Sequence, residues 1–234
     1  MRILGVDTSS SCGSIGIIDG DQVVAECTFH REETHSTRLI PSIQAILKDA
    51  KLSLKEIDGL AVSLGPGSFT GLRVGISTIK GLALAAEKPV VGIPTLDALA
   101  HNFLFTPYLI CPLLDARRDE VYTALYRKER GGRLQRLTPY RSISPIAMLE
   151  EIPLQETIFV GNGVTLYGPV IKGKFGKKAL FAPPYLRFLR GLTVAKLGLQ
   201  RIIEGERADV TSLMPIYVRP SDAEIHRNVP FSSS

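Results

Sequence analysis

Apolar and polar positions alternate with period two over residues 2–6, 14–19 and 22–28, and Asp19-Gly20-Asp21 supplies hairpin chemistry between the second and third runs. A three-strand meander is predicted. The period then changes: Leu39, Ile40, Ile43, Ile46 and Leu47 recur at helical spacing, with Ser36 or Thr37 as the N-cap. Pro41 lies too deep for a helix opening there, so a kink or a later start is expected. Residues 60–64 read as a buried strand, 65–70 as a glycine-rich loop, 71–86 as a helix, 90–92 as a short strand and 95–102 as a helix opened by Thr95. The order is βββαβαβα.

The rest of the chain repeats that order more loosely. Residues 109–114, 120–127 and 133–140 make three strands, the last two joined through Gly131-Gly132. Ser144 caps a helix that has Pro145 at its first position and runs to about Glu151. Residues 157–160 form a strand ending in Gly161-Asn162-Gly163, 192–204 form a last amphipathic helix, and 225–234 read as a polar tail. A meander followed by alternating helix and strand, present twice, predicts an α/β protein of two tandem ribonuclease-H-like domains with mixed central sheets, the actin-like (ASKHA) architecture. The expected division is 1–104 for the first domain and 105–234 for the second, with the last helix free to pack back on the first.

Within 234 residues there is room for a sizeable core, and no apolar run approaches the ~18–20 residues that cross a bilayer. Asp7 cuts the apolar stretch beginning at Ile3, which excludes a signal peptide. Three cysteines (Cys12, Cys27, Cys111), odd in number and without metal-ligand spacing, fit a reducing cytoplasm. The net charge of +5 is unevenly placed: residues 1–116 carry 9 Lys+Arg against 12 Asp+Glu, and residues 117–234 carry 19 against 11. That asymmetry fits either a polyanion-facing half, with nucleic acid the first candidate, or a solvated basic surface.

The strongest local signal is GPGSFTGLRVG at 65–75. Gly65, Gly67, Ser68 and Gly71 before a helix could cradle phosphate on backbone N–H groups, with Asp7 and Thr8 after the first strand supplying a carboxylate and a hydroxyl near it. The run matches neither the Walker phosphate loop nor the dinucleotide fingerprint. Its other reading is a tight turn in which Gly71 and Gly75, one helical turn apart, admit a second backbone. The helix that follows, with Leu72, Val74, Ile76, Ile79 and Leu82, is apolar on most sides and needs a second cover, from a partner or from the chain's own first helix. His30 and His35, five apart, would face different ways on a helix, so they make no metal site, and His101 and His226 stand alone. Arg117 and Arg118, adjacent in DARRDEVY, could grip a phosphate or a partner's carboxylates, or simply shape a turn with Asp115.

GVDTSS, HSTRLIP, GPGSFTGLRVG, DARRDEVY, VGNG and YVRPSDAE, in this order along nearly the whole chain, resemble the TsaB (YeaZ) family of the bacterial threonylcarbamoyladenosine tRNA-modification machinery. The resemblance implies the actin-like two-domain fold and a non-catalytic role beside the related transferase TsaD, which acts on the adenosine next to the anticodon and carries the metal-binding histidine pair missing here. It implies association with TsaD, or self-association, through the N-terminal helices: Leu39, Ile43 and Ile46 on one, Leu72, Arg73, Ile76 and Ile79 on the other. It also implies that the ATPase TsaE joins, that ATP and a metal ion belong to partner subunits, and that Asp7, Thr8 and the 65–71 loop are a vestigial nucleotide site; the charge of the basic second half adds the expectation of a tRNA contact through phosphate. The rival is an actin-like ATP-dependent transferase or metalloprotease-like enzyme built on Asp7 and the 65–71 loop.

Overall fold

The computed structural model describes residues 1–30, 35–206 and 209–219. The first sheet has the order β3-β2-β1-β4-β5, built from β1 (Arg2–Asp7), β2 (Cys12–Asp19), β3 (Gln22–His30), β4 (Gly59–Gly65) and β5 (Val90–Pro94). β1, β2 and β3 run antiparallel as a meander; β4 and β5 lie parallel to β1 and to each other. Parallel neighbours need crossover helices, and α1 (His35–Asp49) and α2 (Phe69–Ala86) provide them on one face. α1 opens at His35 and runs through Pro41, earlier than the sequence suggested. His30 ends a strand and His35 opens a helix, so the two never share one helical face.

After α3 (Thr95–His101) the plan recurs. The second sheet has seven strands, β6 (Leu109–Arg117), β7 (Glu120–Thr123), β8 (Tyr126–Lys128), β9 (Leu134–Arg136), β10 (Arg141–Ile143), β11 (Thr157–Val160) and β12 (Ala179–Phe181); its main path runs β10-β7-β6-β11-β12, and β8 and β9 join it through the pairing of Tyr126 with Ile110 on β6. Two expected strands are broken differently. The run 120–127 splits because the Leu125 amide donates to Thr138 Oγ1, not to a ladder partner. β8 and β9 then form their own hairpin, and β10 takes the third place in the sheet. α4 (Pro145–Glu151) starts as expected, with Ser144 Oγ accepting from the Ala147 amide at 3.2 Å.

α5 (Gly163–Phe175) begins at the end of the Gly161-Asn162-Gly163 turn and fills a stretch to which the sequence pattern assigns no element. Its three glycines and Pro169 hide a helix whose buried Val164, Ile171 and Phe175 hold it to the sheet. Packing overrides propensity here. α6 (Gly191–Ile203) lies against β1, β2, β4 and β5 of the first sheet, with the Gly191 amide donating to Ser14 Oγ at 2.9 Å.

Three cores result. α1 and α2 cover the outer face of the first sheet, with Leu4, Val6, Ile17, Leu60 and Val62 beneath them. α4 and α5 cover the outer face of the second around Cys111, Leu113 and Phe159. Between the sheets, α3 and α6 share one core with residues of both, among them Ile3, Ala61, Ile110 and Tyr126. The layers therefore run helix, sheet, helix, sheet, helix. No helix of the described residues is long and apolar enough to cross a membrane.

Candidate functional site

A cleft of about 430 Å³ opens beyond the C-terminal ends of β1, β4, β6 and β11, where open α/β sheets place their loops. Five of the segments that stood out in the sequence meet there: Ser9 to Ser11 after β1, Pro66 to Thr70 before α2, Asp115 to Arg117 on β6, Asn162 before α5, and Ile216 to Arg219. The HSTRLIP run instead begins α1, outside the cleft.

Asp7 closes β1 with its side chain fully buried beneath this floor. Oδ1 accepts from the Ser9 amide at 3.1 Å, while Oδ2 has no hydrogen-bond partner; the buried hydroxyls of Ser9 and Ser63 have none either. Burial pushes the carboxyl up to about 6, against the weaker pull of the nearby serine groups. An acid so placed is not offered to a ligand in the cleft.

The glycines of the 65–75 run answer to packing. Thr8 Oγ1 donates to the Gly71 carbonyl at 2.7 Å, and the Ser68 amide donates to the Ser9 carbonyl at 2.7 Å. A Cβ on Gly71 would stand 2.0 Å from the Thr8 carbonyl oxygen, one on Gly67 2.4 Å from that of Ser9, and one on Gly75 2.2 Å from Thr8 Oγ1. α2 therefore rides directly on the Thr8–Ser9 backbone, which is the close-approach reading of that spacing. Ser68 caps α2, its Oγ accepting from the Gly71 amide; the Gly65 amide donates to Thr95 Oγ1 at 3.0 Å, and the Gly65-Pro66 bond that follows is cis.

Residues 209–219 cross from one lobe to the other along the cleft. Lys80 Nζ donates to the Thr211 carbonyl and the Ile216 amide to the Leu64 carbonyl. Tyr217 stacks on Phe69 with centroids 4.8 Å apart and accepts from Arg73 Nε at 3.0 Å, while the Arg73 guanidinium lies over Phe69. At the far end Arg219 reaches Glu120, which also accepts from Ser142. The sequence marks only the end of this segment, Tyr217 to Arg219, as the start of the YVRPSDAE motif, with no cue that it bridges the lobes. Residues 220–224 of YVRPSDAE, the polar tail and His226 lie outside the described residues.

Arg117, Arg118 and Asp119 carry φ values of 63°, 54° and 57°. Three successive non-glycine residues in the left-handed region cost on the order of 1 kcal/mol each. They reverse β6 into β7 and bring Arg117 to the cleft mouth, 83% exposed, 3.8 Å from Asp115 Oδ2. Asp115 itself accepts from the Arg117 amide, and its own amide donates to Asn162 Oδ1. Arg118 does not line the cleft.

The apolar residues expected at a partner interface do not reach the surface. Leu39, Ile43, Ile46, Leu72, Ile76 and Ile79 are each 5% exposed or less, packed against one another and the first sheet. The stripe at helical spacing is the one the chain covers itself, so α2 needs no partner to bury it. What α1 and α2 present outward is different: Ile40 and Leu84 are exposed, and a shallow groove of about 500 Å³ runs between the helices past Gln44, Lys48, Leu52 and Leu82. Among the described residues no group of His, Cys, Asp or Glu has the arrangement of a metal site.

Two sheets of matching order, meeting at a cleft beyond their central strands, define the actin-like class of α/β protein. A model of the family "TsaD: tRNA N6-adenosine threonylcarbamoyltransferase" matches residues 23–226. The tRNA threonylcarbamoyladenosine biosynthesis protein TsaB of Bacillus subtilis is 31% identical over 226 residues, 96% of each chain. The crystal structure of YeaZ from Pseudomonas aeruginosa superposes with a TM-score of 0.77 at 23% identity, covering 92% of this chain and 99% of that one. A dehydratase activator from Clostridium difficile, solved with ADPNP bound, shares the fold at TM-score 0.55 and 11% identity over 88% of this chain and 97% of its own. The chain belongs to the TsaD-related family of tRNA threonylcarbamoyladenosine biosynthesis proteins, and within it to the TsaB (YeaZ) group.

Proposed function

We propose that this chain is a non-catalytic subunit of the tRNA threonylcarbamoyladenosine (A37) modification complex, which binds and stabilises the transferase TsaD and helps recruit the ATPase TsaE in the cytoplasm. The observation that carries the non-catalytic part is the state of Asp7. The one carboxylate at the end of the first strand is sealed below the α2 N-terminus, and Gly67 and Gly71 of the candidate phosphate loop are spent on the Thr8–Ser9 contact. ATP and a metal ion then belong to the partner subunits.

The two sheets read as tandem ribonuclease-H-like domains, and a chain matched by a TsaD family model is suited to pair with a partner of the same plan across a pseudo-twofold axis. The outward faces of α1 and α2, with Ile40, Leu84 and the groove beside Leu82, supply the apolar patch for that pairing. Without TsaD the same face serves a homodimer.

Ile40→Glu and Leu84→Glu test this. Both sites are exposed, so the melting temperature should stay within a few degrees of wild type while co-elution with TsaD weakens at least tenfold. Retained co-elution of both variants would move the interface elsewhere. Ile76→Glu is uninformative because it buries a charge in the first core. The rival, an enzyme in its own right, predicts metal-dependent ATP turnover by the isolated chain that survives repurification; the subunit reading predicts none.

A further inference from the structure

The second half of the chain is basic, but its cations are not evenly free. Arg136 lies near Asp97, Arg141 pairs with Glu151, Arg190 with Glu26, Lys196 with Asp21 and Arg201 with Glu206. A lysine group at 172–178 lies in and just after the C-terminal turn of α5, where cations complement the helix dipole. The β8–β9 hairpin has no such account. Residues 126–136, YRKERGGRLQR, hold five cations against the single carboxylate Glu129. Arg127, Lys128, Arg130 and Arg133 are exposed, and among the described residues no carboxylate pairs with them.

The hairpin is held firmly at its base. Tyr126 and Tyr140 both donate to Asp97 Oδ1, at 2.6 and 2.7 Å, and the Arg136 guanidinium covers the Tyr140 ring. The tip is closed by bonds from the Glu129 amide to the Arg133 carbonyl and from the Gly132 amide to the Glu129 carbonyl. Like charges gathered on one rigid finger repel one another, and among the described residues no carboxylate pairs with Arg127, Lys128, Arg130 or Arg133 to offset that cost. A polyanion would, and a preordered finger loses little entropy in meeting it.

We propose that the β8–β9 hairpin is a contact for the phosphate backbone of a folded RNA, with Arg127, Lys128, Arg130 and Arg133 as the phosphate-facing groups. Arginine forks suit phosphate oxygens, and no aromatic side chain is exposed at the tip to read bases, so the contact positions the RNA without choosing its sequence. The choice of RNA over an acidic protein rests on the tRNA-modification reading above.

The test is binding of a fluorescent, unmodified tRNA transcript to the full chain over a salt series. The comparison is between wild type and Arg127→Ala/Lys128→Ala/Arg130→Ala/Arg133→Ala combined. Each lost phosphate contact removes ~0.7–0.9 from the log–log salt slope, so the slope should fall by about three and affinity at moderate salt by tenfold or more. Equal slopes, or no salt-dependent binding by wild type, would overturn the proposal. So would transfer of the effect to Lys172→Ala/Lys174→Ala/Lys177→Ala/Lys178→Ala. TsaD co-elution, measured on the same hairpin variant, should be unchanged. If co-elution is lost and RNA binding kept, the finger is a protein contact; failure of the Ile40 and Leu84 tests leaves this assay unaffected.

Discussion

The two lobes are laid out alike and closed alike, yet they treat their central strands differently. In the first, Gly71 lets α2 settle on the Thr8 carbonyl; in the second, Gly161, with φ 114°, lets the turn into α5 settle on the Leu113 carbonyl, where a Cβ would come within 2.1 Å. Both lobes thus seat the helix after the strand parallel to their first, β4 beside β1 and β11 beside β6, on the backbone in or just after that first strand. The carboxylates beside these contacts part company. Asp7 is sealed under its helix, whereas Asp115 is 19% exposed at the cleft wall, held by the Arg117 amide and tied to Asn162. A repeated framework fixes where a side chain stands, but the local seal decides whether it can meet anything.

The sharpest way to break this parallel is at the glycines. Gly161→Ala adds a backbone clash to an unfavourable φ and should cost about 3 kcal/mol or more in urea unfolding. Gly71→Ala should lose about 2 kcal/mol even after the gain in helix propensity. If either variant is as stable as wild type, the lobes are not closed by the same contact.

The carboxylates come next. Between about pH 4 and pH 6 native Asp7 holds a proton that the unfolded chain has released. The stabilisation from this group is therefore complete below pH ~4 and lost as pH rises through about 6. Asp7→Asn should accordingly be more stable than wild type by about 2–3 kcal/mol above pH 7, with the gap closing toward pH 4 in a melting series. Asp115→Asn, partly solvated, should change stability by less than about 1 kcal/mol over the same range. The smallest effect is at Gly81, in α2 but with open space around a would-be Cβ: Gly81→Ala should gain roughly 0.5–1 kcal/mol. A loss there would mean that α2 is tighter than its neighbours imply.

Much of the first lobe was legible because its signals are local. Period-two runs, the turn at Gly20 and the stripe from Leu39 to Leu47 each point to a single element, and the observed strands and helices fall within a few residues of those readings. The second lobe hid more. α5 carries glycines and Pro169 through a helix kept by burial of Val164, Ile171 and Phe175, and β10 and β12 are three residues long. Of the candidate site, the motifs themselves were visible, but their convergence on one cleft was not, since it depends on contacts as distant as Arg73 with Tyr217 and Arg219 with Glu120. The apolar residues expected to face a partner prove to be buried within the chain for a specific reason. Periodicity reveals which stripe of a helix is greasy, and Leu39 or Ile76 at that spacing is as well served by the chain's own sheet as by a neighbour.

The seat of α6 bears on how the molecule is made. The inner face of the first sheet is covered by a helix drawn from residues 191–203, far downstream of the sheet's last strand at Val90–Pro94. The amino-terminal lobe therefore cannot finish folding when its own strands have emerged; they must wait, one side bare, until the residues of α6 have been translated as well.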